Sequence, residues 1–337
     1  MRCLVDKTVL NAEVYFKTYG REPSPAGDIT VSSSDLSALD DIDLKTVLTE
    51  MKSLGAKGEL LVVTHSNPDG LKMPLVAGGK SAGAGLKVMD TILKISSGIS
   101  QREAIRSLSG NKKFKAWQAW FKAFEPGVKL DDSAETEPDW EAFAEKQYDA
   151  WHERQGKQIL KLPNPAQDLS DLISLVDAVR KAGFARLEFR ACRIGTDKDS
   201  LKTVANFFNA KKVVAPKEVR TFYGSIPKVT IISDKDFAAK SKSSTARKFP
   251  DCKVLFEIGD TTFTAFATSD SEIKTFIKNY IHSGYAGTIT PFRMGGLEPA
   301  GKAVIAGKKH VFPLEKDYLT LLGSFDAAAA ATASGTP

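Results

Sequence analysis

Cysteine and histidine are scarce in this chain. Its 337 residues hold three cysteines (Cys3, Cys192 and Cys252) and four histidines (His65, His152, His282 and His310). An odd, sparse cysteine set argues against a disulfide framework and fits a reducing, cytoplasmic setting. Neither CxxC nor HExxH occurs, so no zinc site is expected, and nothing calls for a cofactor. There is no run of 18 apolar residues, which excludes an obvious helical membrane span. The opening MRCLVDKTVLNAEVYF has neither a long apolar stretch nor a small-residue cleavage site, and it does not read as a signal peptide. The GxSxG elbow of α/β hydrolases is missing too, which lowers a hydrolase or transferase with another nucleophile. The net charge of +6 is mild and mixed along the chain. With no RNP, zinc-finger or basic-helix signature, nucleic acid is not an expected partner.

What is present is the material of a soluble α/β protein: 42% apolar and 26% charged residues, enough for one large domain or two modest ones. Residues 12–19 (AEVYFKTY) read as a first strand, and GREPSPAGD as a turn-rich loop. Ser34 or Asp35 can cap a helix carrying Leu36, Leu39, Leu44, Val47, Leu48 and Met51, which Gly55 and Gly58 end. GELLVVTH is a short continuous apolar run, as expected for a strand buried on both faces, and it stops at His65 before the turn signal SNPDG. The glycine-rich AGGKSAGAGL lacks a correctly placed GK[ST] and reads as a flexible loop rather than a phosphate cradle. VMDTILKI after it is helical.

Residues 100–160 form a helical, Trp-rich insertion. Trp117, Trp120, Phe121 and Phe124 fall at helical spacing. The plain expectation is an aromatic stripe packed inward; the sharper one is a lid or partner-binding arm. The core pattern resumes with the helix DLSDLISLVDAVRKA, the strand ARLEFRAC ending at Cys192, the loop RIGTDKD, the helix SLKTVANFFNA and the strand KKVVAP. This alternation predicts a parallel sheet with right-handed crossovers. After Ser225, PKVTIISD reads as a strand, and beyond residue 235 a hairpin around Gly259–Asp260 and a helix in SEIKTFIKNYIHSG suggest a smaller α+β subdomain over 236–322. The tail 323–337 is Ala-rich and reads as disordered.

In open α/β sheets, sites form beyond the carboxyl ends of the strands. His65 and Cys192 both stand at such ends. A thiol needs a partner to act as a thiolate, and an imidazole can take that proton or protonate a leaving amine. Gly70 and Gly195 are the nearest glycines whose backbone N–H groups can approach a developing oxyanion. Cys3 lies at the terminus and Cys252 opens a hairpin without a basic partner. His152 lies in the helical insertion, and no motif surrounds His282 or His310.

RACRIG at 190–195 and the histidine strand GELLVVTHSNPDG resemble the caspase-like cysteine peptidases over roughly residues 10–235. In that family a glycine follows the histidine at once; here Ser66 stands there and Gly70 comes later. The resemblance implies a caspase-like, mostly parallel sheet with flanking helices. It also implies a nucleophile at Cys192, a general acid/base at His65 and a polypeptide substrate. On the same grounds VVAPKEVRTFYGS, with Phe222, Tyr223 and Ser225, would line the pocket before the scissile bond. Asp69, Asp197 and Asp199 lie near the site and are candidates for selecting a basic residue there, but each also serves as a turn or cap residue. The competing expectation is a degenerate caspase-like domain that binds a partner or builds an assembly without cleaving.

Overall fold

Short runs of apolar residues that alternate between two covered faces make the centre of the molecule. The computed structural model describes residues 1–9, 12–22, 24–78, 81–130, 137–217 and 322–333. It also describes the strand segments 220–221, 228–231, 254–258, 261–265, 288–289, 302–305 and 308–311. The central sheet has six strands: β1 (Arg2–Asp6), β2 (Leu36–Leu39), β3 (Glu59–Val63), β4 (Phe184–Arg190), β5 (Ala210–Pro216) and β6 (Leu322–Asp326). They lie in the order β6-β5-β4-β3-β1-β2. The first five are parallel, and β6 runs antiparallel on the β5 edge. The fold is therefore α/β with a mostly parallel sheet and flanking helices. The chain leaves β1 to one side for β2 and to the other for β3, which makes a switch point beside the carboxyl ends of β1 and β3.

One face of the sheet carries Leu4, Leu60, Val62, Leu187, Phe189, Val213 and Ala215. Against it pack the apolar sides of α2 (Leu44–Leu54), α3 (Leu86–Arg106), α6 (Pro165–Ala182) and α7 (Lys198–Phe208). The helix α4 (Gly110–Phe124) and the helix α5 (Glu137–Arg154) extend the same layer. Trp117, Trp120, Phe121, Trp140 and Trp151 are buried in one continuous core with the sheet residues. Trp120 meets Trp151 edge-on at 5.0 Å, and its indole N–H donates to the Gly98 carbonyl at 2.9 Å. The aromatic stripe is thus core, and the alternative of a free partner-binding arm is set aside for these tryptophans.

The opposite face carries Cys3, Val5, Leu61 and Val63, covered by the helix α1 (Ala12–Tyr19). Here the expected strand at 12–19 is corrected. Its buried residues are Ala12, Tyr15 and Phe16, while Val14 is half exposed. That is the spacing of a helix face, which outweighs the apparent alternation of AEVYFKTY. The next helix also starts later than expected. Ser33–Asp35 make a single 3₁₀ turn and Leu36–Leu39 form β2. Asp43, not Ser34 or Asp35, caps α2 by accepting from the Thr46 N–H at 2.6 Å.

Two further expectations change. The glycine-rich segment contributes a strand, Gly83–Gly85, paired with Gly70–Pro74. The start of the supposed tail is β6 of the central sheet, followed by the helix α8 (Ala327–Ala333). Asp326 accepts from the N–H groups of Ala328 and Ala329 and starts that helix. The expected hairpin is present as Val254–Ile258 paired antiparallel with Thr261–Ala265. The helix expected in SEIKTFIKNYIHSG lies outside the described residues. Among the described residues, no helix is long and apolar enough to cross a membrane.

Candidate functional site

The strands β3 and β4 are neighbours, and their register pairs Leu61 with Glu188 and Val63 with Arg190. The paired register ends at Val63 and Arg190, so His65 and Cys192 each stand two residues past the last paired position, in the segments that leave the two neighbouring strands at their carboxyl ends. Adjacent strands run ~4.8 Å apart, and both segments start beside the switch point. His65 is exposed and Cys192 is partly exposed. The Ser66 hydroxyl donates to the Cys192 carbonyl and ties the two strand ends together. The Lys72 N–H donates to the His65 carbonyl at 2.9 Å, anchoring that residue to the hairpin of Ser66–Asn67 and Gly70–Pro74.

The strand that leads to Cys192 carries a buried charge row that the sequence reading missed. Arg186, Glu188 and Arg190 occupy alternate positions of β4 and are 6%, 0% and 1% exposed. Glu188 accepts from Ser24 Oγ and from Arg186 Nε, each at 2.6 Å, and pairs with Arg190 Nη1 at 2.9 Å. Arg186 also donates to the Gly27 carbonyl, so the turn-rich loop closes over β4 through these charges. Glu188 is thus shared by two guanidinium groups, and Arg186 also faces Glu59 at 4.0 Å. The signal was legible in RLEFR, where charged residues alternate inside a run otherwise read as apolar. Nearby, burial pushes the Cys3 thiol up to about 12, and the Arg190 charge only partly offsets that.

The loop after Cys192 is held firmly. Arg193 takes a left-handed backbone (φ 62°), uncommon for a residue with a side chain. The Gly195 N–H donates to the Pro216 carbonyl at 2.8 Å. That hydrogen bond corrects the expectation that Gly195 offers its N–H to an oxyanion. The reason for glycine is close approach instead: a Cβ there would collide with the Ala215 carbonyl. Thr196 Oγ1 lies within hydrogen-bond distance of the Arg193 and Lys217 carbonyls, at 2.7 and 2.9 Å.

Gly70 is likewise built into backbone packing. Its φ is 131°, and a Cβ would stand 2.6 Å from the Gly85 Cα. Asp197 caps α7 by accepting from the Ser200 N–H at 3.0 Å. That bond, with the Asp199 N–H, holds its carboxyl below the usual carboxylate range. Asp199 lies in the first turn of α7. Asp69 is exposed in the turn after Asn67, and its carbonyl accepts from the Leu86 N–H at the start of α3. Both Asp69 and Asp197 thus have structural work. Phe222, Tyr223 and Ser225 lie outside the described residues. A separate cleft of ≈ 620 Å³ is lined by the start of α2, by residues 76–78 and by the start of α6, and neither His65 nor Cys192 borders it.

Comparison with protein-family models, with curated proteins and with solved structures finds no match to this chain.

Proposed function

We propose that this chain is a caspase-like cysteine endopeptidase with Cys192 as nucleophile and His65 as general acid/base. The observation that supports it most is that β3 and β4 are parallel neighbours, with His65 and Cys192 in the segments that leave their carboxyl ends and the Ser66 hydroxyl bonded to the Cys192 carbonyl. The sulfur of Cys192, as thiolate, would add to the carbonyl carbon of a peptide bond. Collapse of the oxyanion breaks the C–N bond, and the leaving amine takes a proton from the His65 imidazolium. The neutral imidazole then removes a proton from water. The resulting hydroxide hydrolyses the thioester and returns the free thiol. The partner on this reading is a polypeptide. The setting is reducing and cytoplasmic, in keeping with Cys3 and Cys192 as free thiols.

The test is cleavage of a peptide library by the purified chain. Cleavage by the parent protein, lost in Cys192→Ala with the fold intact, is the expected result. A folded parent chain that cleaves nothing, and whose Cys192 ignores peptide electrophiles, would assign this fold to a non-cleaving binding module instead.

A further inference from the structure

The strand β6 joins the sheet from the far end of the sequence, with residues 217–321 between it and β5. It pairs Gly323 with Ala215. Both residues press on the loop that carries Cys192. A Cβ on Gly195 would collide with the Ala215 carbonyl, and a Cβ on Gly323 would collide with the Gly195 carbonyl. Three backbones, at Ala215, Gly195 and Gly323, therefore stack with no side chain between them. The Gly195 N–H bond to Pro216 and the Thr196 hydroxyl at the Lys217 carbonyl hold the same loop to the end of β5. Leu322, 4% exposed, anchors β6 against Val214. Ser324 on the same strand is exposed.

We infer that β6 is a positioning element for Cys192, and that Gly323 is its contact point. The loop after β4 takes its shape from a strand that arrives last in the chain, so the thiol stands in place only when β6 is docked. The functional consequence rests on the reading of Cys192 as nucleophile; the mechanical coupling does not.

Native-state hydrogen exchange of the full chain in low denaturant tests the coupling directly. Amides of residues 193–197 and of 322–326 are expected to open together, with one denaturant dependence. Separate openings would overturn the inference without any variant. Gly323→Ala and Leu322→Ala are then compared with Ser324→Ala in inactivation by a peptide acyloxymethyl ketone. The expected result in the first two is a limiting inactivation rate at least about ten-fold lower, because a small misplacement of a reacting group is costly. The half-saturating probe concentration stays unchanged, and Ser324→Ala behaves as the parent. Folded Gly323→Ala protein with the parent rate and parent exchange at 193–197 contradicts the inference. If the parent chain itself resists the probe, the peptidase reading fails, and the exchange data alone decide whether β6 holds the loop.

Discussion

At the scale of single residues, the charges of β4 are placed where their loss is most costly. Glu188 is fully buried between Arg186 and Arg190. Replacing it with Ala removes the buried carboxylate that the two guanidinium groups share, and breaking such a pair costs about 3–5 kcal/mol. Urea unfolding of Glu188→Ala should show that loss, whereas a loss below ~1 kcal/mol would mean that water reaches the row. Cys3 gives a pH signature. Its thiol titrates at 9.0 when unperturbed and near 12 in the fold. The unfolded chain therefore releases this proton first. Its contribution is fully present below pH 9 and is lost as pH rises toward 12, by up to about 1.4 kcal/mol per pH unit. Cys3→Ser is expected to flatten that alkaline decline in a stability–pH series. The strands that His65 and Cys192 follow were legible because each is a short apolar run, and parallel strands deliver their following segments to one edge of the sheet. The alternation of RLEFR could have marked Glu188 as a charge within the strand, but its Ser24 partner was not legible, because it is distant in sequence.

Among the elements, the helical layer α3–α4–α5 is tied to the sheet core by its aromatics. Trp120→Ala should cost about 3–5 kcal/mol, the range for deleting a buried large aromatic, and lower the denaturation midpoint accordingly. A variant with parent stability would return Trp120 to the surface. The charged seam of the same layer is pH-sensitive. Burial pushes the Glu145 carboxyl up, but hydrogen bonds from Arg106 and Arg102 outweigh it and hold the carboxyl below its ordinary 4.5. A depressed carboxyl stabilises the fold above that value, and its contribution is lost as pH falls below it. Glu145→Gln should therefore be less sensitive to acid than the parent in thermal melts between pH 5 and pH 3. Helix and strand types in residues 165–216 followed from apolar spacing alone. AEVYFKTY misled because eight residues satisfy both a period of two and a period near 3.6, and only the burial of Ala12, Tyr15 and Phe16 separates them.

For the molecule as a whole, the sheet is assembled from segments at both ends of the chain. The strands β3, β4 and β5 and their parallel pairing were readable from the alternation of helices and strands, whereas β1 and β2 were not: the first strand was expected at 12–19, and Leu36 and Leu39 in a helix. The sixth strand was not, because LGSFD beside an alanine run carries no local sign of its partner across residues 217–321. The candidate residues follow the carboxyl ends of two neighbouring strands of this sheet, and the proposed function turns on whether they act together. The most direct measurement is the rate at which a peptide acyloxymethyl ketone modifies Cys192, read by mass spectrometry in the parent chain and in His65→Ala. The peptidase reading expects modification of Cys192 in the folded parent and a rate lower by at least about a hundred-fold in His65→Ala, the scale of lost acid–base catalysis. Equal rates in the two folded proteins, or no modification of Cys192 in the parent, would contradict it.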